Sequence, residues 1–161
     1  MKLTTKGRYA VTAMVDLTLH TDHGPVSLSE ISERQGLSLS YLEQLFLKLR
    51  RSELVKSSRG SKGGYSLNQP SSSISVADII FAVDENVDVT SCSGKSICQD
   101  GDTCLTHHLW DELTLQIRNF LSSISLQDLV NRKEIRWVSE RQDAKLQAAN
   151  DLSLIPLALF D

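Results

Sequence analysis

Apolar residues recur at helical spacing through the first fifty positions, and turn signals divide them into three segments. From Arg8 to Thr21, Ala10, Ala13, Met14 and Leu17 share one face, while Arg8, Thr12, Asp16 and His20 form a polar stripe. Gly24-Pro25 ends this helix. Ser27-Leu-Ser-Glu30 has the form of a capping box, in which each residue's side chain accepts from the other's backbone amide. A short helix follows with Leu28 and Ile31 inward, and Gly36 stops it. Ser38 opens a third helix, Leu39 to Arg51, whose Leu42, Leu45, Phe46 and Leu49 fall at i, i+3, i+4 and i+7. Ser40, Tyr41, Glu43, Gln44, Lys48 and Arg51 are left outward.

The pattern then changes. Leu54 to Ser58 and Tyr65 to Leu67 read as short strands around the basic, glycine-rich tip Arg59-Gly-Ser-Lys62-Gly-Gly64, which makes a hairpin. Asn68 to Ser73 is a Pro/Ser-rich connector, Ser75 caps a short apolar helix from Val76 to Val83, and Asp84 to Thr90 is acidic and irregular. Ser91 to Thr103 is a polar loop. A long helix is expected over roughly Leu105 to Ser123, with Trp110, Leu113, Ile117, Phe120 and Ile124 at spacings of 3, 4, 3 and 4, the seam of a pairing helix. Ser125 caps one more turn, Leu126 to Val130. Beyond about Arg141 the pattern fades, and no internal repeat is evident. The apolar end, Leu152 to Phe160, is too short to cross a membrane and receives no role.

Charge sharpens this division. The net charge is −3, yet residues 1–66 hold ten Lys/Arg and six Asp/Glu, whereas residues 67–161 hold seven and fourteen. A basic head and an acidic rear suit a partner that carries phosphate. No run of apolar residues is long enough to span a membrane, and the N-terminus lacks a secretory stretch, so a cytoplasmic protein is expected. No Cys-x-x-Cys, nucleotide-binding glycine motif or Ser/His/Asp arrangement points to an enzyme.

Two helices joined through Gly36, followed by a basic hairpin, are the parts of a winged helix-turn-helix. The second helix must bury one face and leave the other for the major groove. Ser40 suits phosphate or either kind of base, Gln44 can pair with adenine, and Tyr41 suits phosphate or a thymine methyl. Glu43 repels phosphate but accepts from cytosine, so it is expected to reject sites lacking that base. Arg59 at the tip can enter a narrow minor groove. Lys48, Arg51 and Lys62 belong to a run of six cations between Lys48 and Lys62, opposed only by Glu53, and are expected to hold phosphates. A head that binds protein through an ordinary solvated face is the alternative.

All three cysteines lie in the spacing Cys92-x5-Cys98-x5-Cys104-x2-His107. Three thiolates and an imidazole suit zinc or an iron–sulfur cluster. Structural zinc favours tighter cysteine pairs than these five-residue gaps, which fit a larger two-iron centre. A redox thiol trio without metal is a third reading, and His108 competes with His107 as the nitrogen ligand on spacing alone.

Met1-Lys-Leu-Thr-Thr-Lys-Gly-Arg-Tyr-Ala-Val-Thr-Ala-Met14, Ile31 through Phe46, Arg59-Gly…Gly-Gly-Tyr65, Ala82-Val-Asp-Glu85 and Cys104-Leu-Thr-His107 together closely resemble the IscR family of bacterial iron–sulfur-cluster regulators. The resemblance covers about residues 1–140. It implies a mainly α fold with a small β-hairpin wing: a winged helix-turn-helix head at 1–67, a connector with a short helix at 68–90 and a cluster-binding loop at 91–107. A dimerisation helix with a short following helix occupies 105–130, and a tail 131–161. It further implies a homodimer on a duplex DNA operator, a [2Fe–2S] cluster on Cys92, Cys98, Cys104 and His107, and cluster donor proteins as partners. The implied function is repression of the cluster-assembly operon when clusters are plentiful, with other genes also controlled. A zinc-stabilised repressor is the competing function.

Overall fold

Thr4 opens the first helix, α1 (Thr5–His20), three residues ahead of the expected start, its hydroxyl accepting from the Lys6 amide at 3.3 Å. The computed structural model of the chain describes residues 4–153, so Met1 to Leu3 and the apolar end from Leu154 to Phe160 lie outside the described residues. The second helix, α2 (Leu28–Gln35), begins at the expected capping box: the Glu30 amide donates to Ser27 Oγ at 3.2 Å and the Ser27 amide to Glu30 Oε2 at 2.7 Å. It ends at Gly36, whose φ of 64° is the left-handed conformation that glycine adopts without a Cβ penalty. The third helix, α3 (Leu39–Arg51), has the expected bounds, although the Ser38 hydroxyl pairs with that of Ser40 instead of capping the backbone.

Strands β1 (Val55–Ser58) and β2 (Gly64–Leu67) form the hairpin in antiparallel register, Val55 opposite Leu67 and Ser58 opposite Gly64. Val26, from the turn before α2, adds a rung by exchanging both backbone bonds with Tyr65. A Cβ on Gly64 would stand 2.5 Å from the Val26 carbonyl oxygen, so this approach requires glycine. Ala10, Ala13, Met14 and Leu17 of α1 meet Ile31, Leu42, Leu45, Phe46, Leu49 and Val55 in one buried cluster. Each large member contributes about 1.5–3 kcal/mol.

The rear of the molecule consists of α4 (Val76–Ala82), α5 (His107–Ser122), α6 (Leu126–Val130) and α7 (Lys133–Ser153). The segments leading into α4 and α6 are a short repeat that the linear pattern did not disclose: Ser72-Ser-Ile-Ser75-Val-Ala-Asp78 and Ser122-Ser-Ile-Ser125-Leu-Gln-Asp128. Each builds the same capping box, and the two clasp each other, Val76 N donating to Ile124 O and Leu126 N to Ile74 O, both at 2.9 Å.

Helix α5 departs from the expected seam. Ile117 and Ile124 pack inside their own chain, against a cluster of Val76, Ile80 and Val87. Leu109, Leu113 and Phe120 stay exposed on its other face, at four- and seven-residue spacing, with Leu105 fully exposed just before the helix. Trp110 is half-exposed and its Nε1 donates to Thr106 Oγ1 at 3.1 Å.

The region after residue 131 is mostly one long helix, where the sequence pattern assigned a tail without an element. Helix α7 buries no residue fully, so it leaves little apolar periodicity to read. Polar contacts to the head help to hold it, beside an apolar cleft that Ile135 and Val138 line with Val11, Val15 and Leu19. Gln35 and Gln142 exchange amide bonds at 3.0 and 3.1 Å, and His20 Nε2 lies 3.2 Å from both Asp143 oxygens.

The same junction corrects the expected polar stripe on α1. Asp16 is buried, with 1% of its side chain exposed, and meets Arg34 through Nε and Nη2, the latter at 2.7 Å. Burial alone would push its carboxyl up; the bonds from His20, Arg34 and Gln35 outweigh this and hold it below the ordinary value. His20, expected at the surface, is half-buried, and Asp16 with Asp143 pushes its imidazole up from 6.5 to about 9. A raised folded pKa adds stability that is present below about 6.5 and lost as pH rises through about 9. His20→Gln is therefore expected to lower Tm by roughly 2–4 °C at neutral pH, equivalent to about 1 kcal/mol, and to make little difference in strong alkali. Thermal melts of both chains across that range check it; a gap that does not close in alkali contradicts it.

Candidate metal centre and DNA-reading surface

The loop between α4 and α5 is turned by a series of left-handed residues, Ser93, Gly94, Ser96, Asp100 and Gly101. Thr90 anchors its entry, donating through its amide and hydroxyl to Asp88 Oδ1 and accepting from the Gly94 amide at 2.8 Å. These turns bring Cys92 and Cys98 over the first residue of α5, His107. Ligand atoms of Cys92, Cys98 and His107 all lie within 4.8 Å of one another. The Cys98 thiol donates to Cys92 Sγ at 3.2 Å, which holds the Cys92 thiol down to about 6. His107 Nδ1 stands 3.1 Å from Cys98 Sγ and 3.6 Å from Cys92 Sγ, and its Nε2 meets Ser96 Oγ at 3.1 Å.

The geometry separates the two histidines. His107 is buried at 4% exposure and faces the thiols, whereas His108 is exposed. Cys104 lies one turn before His107, whose amide donates to its carbonyl at 3.1 Å, and its sulfur falls outside the compact group. Soft sulfur and imidazole donors converging in this way fit a bound metal.

In the head, α3 buries Leu42, Leu45, Phe46 and Leu49 and presents Ser40, Glu43, Gln44 and Arg51 to solvent. Arg59 and Lys62 are exposed at the hairpin tip. Tyr41 is half-buried, its ring edge-on to Tyr9 at 6.0 Å. A cleft of about 640 Å³ opens beside it, lined by Thr5, Tyr9, Ser38, Ser40 and Gln44 among others. Tyr9, one residue before the buried Ala10, stands on an outward position of α1. Lys48 is half-buried, and its Nζ is paired with Asp84 Oδ2 at 2.6 Å.

A family model described as Rrf2, iron-dependent transcriptional regulator, matches residues 3–132. The chain belongs to the Rrf2 family. The regulator IscR of Photorhabdus laumondii is 61% identical over 143 residues, covering 89% of this chain and 87% of that protein. IscR of Klebsiella pneumoniae is 55% identical and covers 96% of this chain and 99% of its own length. Among solved structures, T. potens IscR superposes with a TM-score of 0.66 at 42% identity, covering 81% of this chain and 86% of that one. CymR, the global cysteine regulator of B. subtilis, gives a TM-score of 0.71 at 34% identity over 81% and 96%. The Photorhabdus and Klebsiella relatives are HTH-type transcriptional regulators, and the chain is accordingly a DNA-binding transcription regulator, not an enzyme. Among the described residues, no helix is long and apolar enough to cross a membrane.

Proposed function

We propose that this Rrf2 regulator senses iron–sulfur supply through a [2Fe–2S] cluster held by Cys92, Cys98, Cys104 and His107, and represses the cluster-assembly operon when that supply is ample. The observation that carries the reading is the convergence of Cys92, Cys98 and His107 at the foot of α5. Such a cluster, when bound, supplies a redox-active and oxygen-labile group whose occupancy follows iron and sulfide. Cys92 and Cys98 approach from a loop rich in left-handed residues, and Cys104, one turn before His107, completes the set. His107 is held in place by the start of α5, and a neutral nitrogen ligand makes occupancy easier to lose than a fourth thiolate would.

Two copies pair through the exposed face of α5, Leu109, Leu113 and Phe120, with Trp110 at its edge. Pairing about a two-fold axis presents two α3 helices to half-sites about one helical turn apart, or a multiple of it. Ser40 and Gln44 read base edges, Arg59 enters the minor groove, and Arg51 and Lys62 hold phosphates. Cluster donor proteins load the site. Isolation without oxygen tests the cofactor: iron with acid-labile sulfide supports the reading, and a colourless chain holding one zinc replaces it with a structural zinc site.

Glu43 sets selectivity in this reading. It is exposed on α3 one position from Gln44 and makes no ion pair among the described residues. Glu43→Ala is expected to relax discrimination at one base pair by roughly 1–3 kcal/mol. Selection of bound sequences from a random pool checks this; an unchanged base preference removes the role.

A further inference from the structure

Residues 84–90 run from the DNA-reading head to the metal loop, and named contacts staple them at both ends. At the head, Lys48 of α3 donates to Asp84 Oδ2 at 2.6 Å, and the Thr4 amide, just before α1, donates to Glu85 Oε1 at 2.8 Å. At the rear, Arg118 of α5 donates to Asn86 Oδ1 at 2.9 Å, Val87 packs with Ile117 and Leu121, and the Val89 amide donates to Thr114 Oγ1 at 3.1 Å. Cys92 follows two residues on.

The head-side contact falls on a residue that faces DNA. Ser40, Gln44 and Lys48 lie four residues apart on one stripe of α3. Asp84 holds a left-handed backbone conformation, φ 55°, that aims its carboxylate at this stripe, and Lys6 and Arg51 are the other cations that face the pair. A carboxylate at 2.6 Å offers Lys48 the same interaction that a backbone phosphate offers.

We propose that Asp84 is a positioning residue for DNA binding: it withholds Lys48 from the DNA backbone, and the strap that carries it links that restraint to the metal loop. This rests on the DNA-binding reading above. The pair is solvent-exposed, so the restraint is weak enough for a phosphate to break it and strong enough to set affinity.

The test measures affinity of the full chain for a random-sequence DNA duplex over a series of salt concentrations. It compares the unchanged chain, Asp84→Asn, Lys48→Ala and the double variant. Asparagine tolerates the left-handed conformation, so the turn is kept. Asp84→Asn is expected to bind roughly two- to fivefold tighter. Its log–log salt dependence is expected to steepen by up to about 0.9, the value of one further neutralised phosphate. In the Lys48→Ala background the same change is expected to do much less. Equal gains with and without Lys48 show only the loss of a repelling charge and overturn the inference, as does an unchanged salt slope. If the unchanged chain shows no salt-dependent duplex binding at all, the DNA-binding reading itself fails, a separate outcome.

Discussion

Alanine at Cys92, Cys98 or His107 is expected to weaken retention of the metal centre by at least about 10–100-fold, since even the hydrogen-bonding partners of metal ligands cost that much. The three donors form one compact group, so removing any one leaves too few to hold it. The same loss is expected at Cys104, whose sulfur lies outside the group but only one turn from His107. His108→Ala is the control: that ring is exposed and its removal is expected to leave iron content unchanged. None of these side chains belongs to a hydrophobic cluster, so the variants should fold. Iron and sulfide analysis of oxygen-free preparations checks the series. Equal iron in the Cys92 variant, or loss in the His108 variant, contradicts the assignment.

Asp16→Ala is expected to destabilise the chain by about 3–5 kcal/mol, because it leaves the Arg34 guanidinium nearly buried without its counter-charge. For a chain of this length that corresponds to a fall in Tm of roughly 6–20 °C. The site joins α1, α2 and α7, so the loss also frees Gln35 from Asp16 and weakens the docking of α7 through Gln142. Replacing both partners by apolar residues, Asp16→Leu with Arg34→Met, is expected to recover much of the loss, since the cost lies in the unpaired charge. Thermal or urea unfolding of the three variants measures this. A single Asp16→Ala variant that melts within a degree or two of the unchanged chain contradicts the burial of the pair.

The head was legible because each of its elements carries a local signature. Leu42, Leu45, Phe46 and Leu49 declare the buried face of α3, and Ser27 with Glu30 declares the start of α2. The candidate metal loop was legible from spacing, although spacing did not distinguish His107 from His108; only the buried His107 lies among the thiols. Three features stayed hidden because they depend on partners distant in sequence. Asp16 reads as a surface acid until Arg34, eighteen residues on, is seen to cover it. Helix α7 buries no residue fully and meets the head partly through Gln142 and Asp143, so its apolar period is weak. The apolar spacing of α5 was read correctly, yet Val76, Ile80 and Val87 claim Ile117 and Ile124 for the chain's own interior, and Leu109 replaces them on the exposed face.

In the proposed reading, the strap of residues 84–90 joins α3 to the candidate metal loop through a chain of contacts, so loading should change DNA binding. A coupling of about 1–3 kcal/mol alters affinity roughly 5–150-fold. The most direct measurement is the affinity of oxygen-free protein, iron-loaded and then stripped, for the DNA upstream of its own gene. The account predicts a difference within that range, abolished by Cys92→Ala; identical affinity in the two states, with iron shown to be bound in one of them, contradicts it.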